Sequence, residues 1–149
     1  MEQRVASLSC EEKLSLYMMA EELFNADRYA EAEPILAAFA REEPCFEHGM
    51  VWYQLADIFE RKGQLESADK AYLNALDCEW SDTYAIGYGT FLWRVGRNGN
   101  ALASLRKLKQ RIDAGEVAPK FSQRIDSMID AIEKQMSYEV YWSEQPWQG

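Results

Sequence analysis

The residues whose types could carry chemistry are few: Cys10, Cys45 and Cys78, the single histidine His48, and the adjacent carboxylates Glu11 and Glu12, and Glu42 and Glu43. Nucleophilic or acid/base catalysis needs a reacting group beside a base, with a third group to orient them. His48 has no identifiable partner of that kind, and its place at the mouth of a helix suits a surface role. The chain carries no Gly-rich phosphate loop and no G-x-S-x-G turn. The cysteines are odd in number, about 35 residues apart and without a CxxC pair, so they form neither a disulfide framework nor a zinc knuckle and are expected as reduced, partly buried thiols. One histidine leaves a His/Cys metal site short of ligands. The carboxylate pairs fall at helix ends, where solvation and the helix dipole account for them. No enzymatic activity, no cofactor and no metal are expected.

The elements that could position other functions follow from composition. A chain of 149 residues, 48% hydrophobic and 28% charged, without low-complexity stretches, has the make-up of one ordered domain able to bury a core. A net charge of −9 repels phosphate backbones and anionic lipid, which excludes nucleic acid and membrane surfaces as partners. The basic cluster Arg106, Lys107, Lys109 and Arg111, interleaved with Leu105 and Leu108, reads as the solvated face of a helix. Residues 1–8 lack a signal peptide's apolar core, and no window reaches the apolar length of a membrane span. A cytoplasmic location is expected.

A fixed internal offset organises the rest. Trp52, Leu55, Ala56 and Phe59 are followed by Gly63, Leu65, Ala68, Tyr72 and Ala75. Thirty-six residues earlier stand Leu16, Met19, Ala20 and Leu23, then Asp27, Tyr29, Ala32, Leu36 and Phe39, closed by Pro44. Thirty-three residues later stand Ala85, Tyr88, Gly89 and Leu92, then Gly96, Asn98, Ala101, Leu105 and Leu108. This set resembles the tetratricopeptide repeat (TPR) pattern W-x2-L-G-x2-Y followed by A-x3-F. In the second copy the closing proline is replaced by Trp80. Small residues at Ala20, Ala56 and Gly89, and at Ala32, Ala68 and Ala101, let paired helices approach closely, and each pair buries its face by stacking on the next.

The expected fold is therefore all-α, a TPR-like solenoid of three antiparallel helix pairs. Residues 1–8 form a lead-in, and the repeats run over 9–115, about 13–46, 49–82 and 82–115. A capping helix over 119–136 and an aromatic tail over 137–149 follow. Ser9 and Glu12 read as a capping box, Asp82 as the cap of the fifth helix, and Gly63 and Gly96 as turns within pairs. Pro34 introduces a small kink if it falls beyond the first turn of the second helix. Phe121, Ile125, Met128, Ile129, Ile132 and Met136 give the capping helix its apolar stripe. Arg124, Asp126, Asp130, Glu133 and Lys134 give it a polar outer side.

The TPR resemblance implies a concave wall built from the first helix of each pair. Its inward positions are Tyr17, Glu21 and Phe24 in the first repeat, Tyr53, Asp57 and Glu60 in the second, and Ile86, Thr90 and Trp93 in the third. TPR domains that grip acidic chaperone tails clamp a carboxylate with cations. Here the wall is aromatic and acidic, with Arg94 the only cation placed near it, and it suits a protein or peptide with apolar anchors and a basic residue nearby. Some of Tyr17, Tyr53 and Trp93 belong to the core on the competing reading. The function implied is an adaptor or chaperone-like interaction module. The compact acidic layout is also similar to TPR-type bacterial type III secretion chaperones, and a structural assembly subunit without a free peptide ligand is a third reading. Tyr138, Tyr141, Trp142 and Trp147 in the tail either pack back on the capping helix or occupy a groove, their own chain's or that of a second copy in a homodimer.

Overall fold

In the computed structural model, residues 4–118 and 122–145 are described. All regular structure among them is helical, with α1 Cys10–Asn25, α2 Tyr29–Glu42, α3 Met50–Arg61, α4 Leu65–Cys78, α5 Asp82–Arg94, α6 Asn98–Asp113, α7 Ser122–Glu133 and α8 Tyr138–Ser143. Short 3-10 turns precede α1 at Val5–Ser7 and α3 at Phe46–Gly49. The chain divides into two compact units, Met1–Trp80 and Ser81–Gly149. No described helix is long and apolar enough to cross a membrane.

The first unit is two helical hairpins, α1 with α2 and α3 with α4, and α2 also packs on α3. Local chemistry starts and stops these helices. Ser9 Oγ accepts from the Glu12 amide at 3.1 Å while Glu12 Oε1 accepts from the Ser9 amide at 2.9 Å, the reciprocal capping box expected of this pair. α1 ends at Asp27, whose φ of 62° is left-handed. There the Asp27 amide donates to the Phe24 carbonyl and the Arg28 amide to the Leu23 carbonyl. These two bonds make a Schellman stop, which satisfies carbonyls that the helix itself leaves unpaired. The same stop recurs at Gly63 after α3. Pro34 lies in the second turn of α2, where the amide it lacks would have bonded to the Ala30 carbonyl.

Ala20, Ala32, Ala56 and Ala68, small residues singled out by the repeat, are all fully buried. Tyr17, Leu36, Phe39, Val51, Leu55 and Ile58 belong to the core here, with Val5 inserted from the 3-10 turn before α1. Burying a valine of that kind stabilises by about 1.5 kcal/mol. Glu42 Oε1 accepts from the Ala6 amide at 3.1 Å, and this bond, chiefly, holds the Glu42 carboxyl below its ordinary range.

One expectation is overturned in this unit. Cys45 and Cys78 form a disulfide, with Cα atoms 5.2 Å apart, and Cys10 is the free, exposed cysteine. The bond ties the connector between α2 and α3 to the end of α4. The connector is tightly wound, with Glu47, His48 and Gly49 all at positive φ. A Cβ on Gly49 would lie 2.8 Å from the Cys78 Cβ and 3.2 Å from the Ala75 carbonyl oxygen, so glycine is required twice over. His48 Nδ1 stands 3.3 Å from Glu79 Oε1.

The second unit begins with the hairpin α5 and α6, adds α7 against α6, and returns α8 onto α5. Ser81, not Asp82, caps α5: its hydroxyl accepts from the Tyr84 amide at 3.1 Å, while Asp82 Oδ1 accepts from the neighbouring Thr83 amide. Serine reaches the third amide from the cap position itself, and Asp82 is already the first helical residue. Gly89 faces Leu105 so closely that a Cβ would sit 2.8 Å from Leu105 Cδ2, and Ala101 is fully buried. Schellman stops recur at Gly96, Gly115 and Gln135. The apolar face of α7 buries Ile125, Met128, Ala131 and Ile132. Residues 119–121, including Pro119, Lys120 and Phe121 of the expected capping helix, lie outside the described residues, as does Trp147.

Candidate functional site

The nine expected wall residues fall six in the first unit and three in the second. Phe24, Glu60 and Trp93 each offer the carbonyl that accepts from the left-handed residue, at Asp27, Gly63 and Gly96. They are equivalent positions in three copies of one turn.

In the first unit, Tyr17 is buried. Its ring meets Phe39 and Phe46 edge-on, and its hydroxyl points toward Gln54 Oε1 at 3.4 Å. Burial pushes that hydroxyl well above the ordinary phenol range, the carboxylates of Glu21 and Glu47 add to the shift, and Gln54 opposes it. Tyr17 is thus a neutral, core-facing group at every physiological pH. Glu21 is exposed; Phe24, Tyr53, Asp57 and Glu60 are half-buried.

These residues do not form an isolated aromatic and acidic strip. The Arg61 guanidinium lies 3.3 Å from Asp57 Oδ1 and 4.7 Å above the Tyr29 ring. Tyr29 donates its hydroxyl proton to Asp27 Oδ1 at 2.8 Å and meets Phe24 edge-on at 5.4 Å. The hydrogen bond to Asp27 is the chief cause of the raised Tyr29 pKa. Phe24, Asp27 and Tyr29 at the α1–α2 turn therefore join Asp57 and Arg61 of α3 in one connected surface cluster. The expectation that Arg94 alone brings a cation near the wall is corrected by Arg61, and the signal was present: Arg61 follows Asp57 by four residues, one helical turn. Tyr53 packs edge-on against Tyr72 of α4 at 5.7 Å.

In the second unit, Ile86 and Thr90 are half-buried, and the Thr90 hydroxyl donates to the Gly87 carbonyl at 3.0 Å. Trp93 is only 3% exposed. Its indole N–H donates to the Met136 carbonyl at 3.0 Å, and its ring meets Tyr138 at 5.5 Å and Tyr141 at 5.2 Å. Trp142 stacks on Tyr138, and the Arg94 guanidinium lies 5.1 Å from the Tyr138 ring. The Tyr141 hydroxyl donates to Ser127 Oγ at 3.1 Å. The described tail thus packs chiefly on α5, over the expected wall residue Trp93, with Tyr141 also reaching Ser127 of α7.

The basic cluster on α6 is occupied by α7. Lys109 Nζ donates to Ser122 Oγ at 2.7 Å and to Asp126 Oδ2 at 3.1 Å, with Asp113 at 3.6 Å, and the bond to Asp126 leads the causes that raise its pKa. Arg106 lies 3.5 Å from Glu133. The positive charge of α6 is largely spent on its neighbours.

No protein-family model, curated protein or solved structure matches the chain.

Proposed function

We propose that this chain is a TPR-like helical-repeat module that binds a partner protein, taking a segment with apolar anchors and a basic residue onto the wall formed by α1 and α3, the first helices of the first unit's two hairpins. The observation that carries the reading is the threefold recurrence of one hairpin. Paired small residues at Ala20 and Ala32, Ala56 and Ala68, and Gly89 and Ala101 accompany equivalent stops at Asp27, Gly63 and Gly96. Repeats of this type present extended surfaces for protein partners. The site favoured is the first unit's share of the wall, Glu21, Phe24, Tyr53, Asp57 and Glu60, with Tyr29 and Arg61 beside it. Catalysis, a cofactor and nucleic acid have no part in the reading. The Cys45–Cys78 bond weighs against a cytoplasmic location, since cytosolic thiols are kept reduced.

The test is selection of binding peptides from a displayed random library on the folded chain. Selected peptides are expected to combine aromatic or aliphatic residues with Lys or Arg. Truncating a central aromatic residue of such a site costs about 2 kcal/mol, so Tyr53→Ala should weaken binding roughly thirtyfold, and Glu21→Lys should weaken it without touching the core. Acidic selected peptides, or affinities unmoved by both substitutions, would refute the proposal.

A further inference from the structure

Away from the wall at Tyr53 and Asp57, α1 carries a second exposed surface. Helices of a globular hairpin bury one apolar stripe and expose polar residues on the other side. α1 departs from this. Tyr17 and Ala20 face the core, yet Leu14, Met18 and Met19 are 46%, 53% and 52% exposed. Their neighbours one turn away on the same outer side are Glu11, Ser15 and Glu22, all exposed. Met19 and Ser15 also line an open groove of about 430 Å³ together with Leu8, Leu16, Glu11 and Glu12. Leu8, Leu16 and Met19 make part of its lining apolar, and Glu11 and Glu12 add carboxylates.

Charge selects the occupant. The outer side of α1 bears Glu11, Glu12 and Glu22 and no cation; Lys13, the one basic residue of the helix, turns inward to Glu43 just past the end of α2 at 2.6 Å. A second copy docked through this face would set glutamates against glutamates, and an anionic bilayer would be repelled likewise. Spacings of three and four residues along α1 make ridges that accept the ridges of another helix, and exposed methionines adapt to varied apolar partners.

We infer that the outer face of α1, centred on Met18 and Met19, docks a basic amphipathic helix of a partner protein, its apolar residues on the methionines and its Lys or Arg residues on Glu11 and Glu22. This surface is separate from the wall at Tyr53 and Asp57, and its fate does not depend on that reading.

The test titrates three synthetic 18-residue peptides into the isotopically labelled full chain: a leucine/lysine amphipathic helix, its leucine/glutamate counterpart, and a leucine/lysine sequence scrambled so that the leucines share no face. The amphipathic lysine peptide should bind and shift the amides of residues 8–22. Anchor truncation at such a face should weaken binding about tenfold in the Met18→Ser, Met19→Ser double variant, with a smaller, salt-dependent loss in Glu11→Gln, Glu22→Gln and none in Tyr53→Ala. Circular dichroism on each variant checks that the helix is kept. Equal binding of the scrambled or glutamate peptide overturns the inference. So do shifts confined to other helices. A dimer, or binding to phosphatidylserine vesicles, that Met18→Ser and Met19→Ser abolish would overturn it in favour of a second copy or a lipid surface.

Discussion

The indole N–H of Trp93 donates to the backbone carbonyl of Met136 across 3.0 Å, and that bond fastens the end of α5 to the chain leaving α7. Tyr138 and Tyr141 then close over the same ring. A residue expected on an open wall is thereby the anchor of the second unit's own C-terminal packing.

Replacing Trp93 with phenylalanine removes the donor and part of the ring. A net hydrogen bond contributes about 1 kcal/mol and the lost volume adds to it, so destabilisation of roughly 1.5–3 kcal/mol is expected. The tryptophan emission that disappears in this variant should be the short-wavelength component, insensitive to acrylamide. If the lost component is quenched as readily as free indole, the tail does not cover Trp93.

Two glycines separate backbone propensity from packing. Gly99, near the start of α6, has open space around a Cβ, so Gly99→Ala should stabilise by about 0.5–1 kcal/mol through chain entropy alone. Gly89 meets the fully buried Leu105, and overpacking there costs about 1–3 kcal/mol against a similar entropic gain of at most about 1. Gly89→Ala should therefore lower the denaturant midpoint where Gly99→Ala raises it. Midpoints moving in the same direction would refute the close approach of α5 and α6.

Much of this was legible in the chain itself. The capping box at Ser9, the turns at Gly63 and Gly96, and the small residues at hairpin contacts are dictated by interactions within a few residues or by strict volume limits, which leave a mark on residue type. The disulfide left none that a search for CxxC could find. The repeat did not mark it either: at the offset of 36 that relates the first two hairpins, Cys45 matches Ser81 and Cys78 matches Glu42, so the cysteines are not equivalent positions, and only the folding of the connector onto the end of α4 brings them together. The burial of Trp93 was illegible for another reason. Register along α5 puts it on the wall, but what covers it is a six-residue helix some forty residues on, too short to declare itself by periodicity. Met19 is the repeat counterpart of Leu55, which is buried, so the repeat alone counted it toward a core, whereas the first hairpin has no preceding α-helix among the described residues to cover it.

The Cys45–Cys78 bond closes a loop spanning 33 residues of sequence separation, for which the chain-entropy model gives about 3–4 kcal/mol of stabilisation. Thiol titration in denaturant without reductant should count one reactive cysteine, Cys10, and reduction should lower the denaturant midpoint of the first unit. Three reactive thiols in protein purified under oxidising conditions would refute the pairing. The tight left-handed run Glu47, His48 and Gly49 makes the same region sensitive to Gly49→Ala, where the left-handed penalty and the clash with Cys78 together cost about 2 kcal/mol or more.

Acid should release the N-terminal turn before the rest of the first unit unfolds. The Glu42 carboxyl is held below its ordinary value, near 4.5, first by the Ala6 amide and further by the Val5 amide, Arg4 and Arg41, with desolvation opposing. A group whose folded pKa is depressed contributes stability above its unfolded pKa and loses it as pH falls through the folded one. The clip between Val5–Ser7 and α2 is therefore complete at neutral pH, begins to weaken near pH 4.5 and is lost below it. Glu12, lowered by the Ser9 amide in the capping box, follows the same sign at the start of α1. Hydrogen exchange at the Ala6 amide should accelerate, relative to the intrinsic rate, as pH drops through this window. In Glu42→Gln that protection should be weak and flat with pH. Protection of Ala6 that is equally strong and pH-independent in both proteins would mean that the buried Val5 side chain, not the carboxylate, fastens the turn.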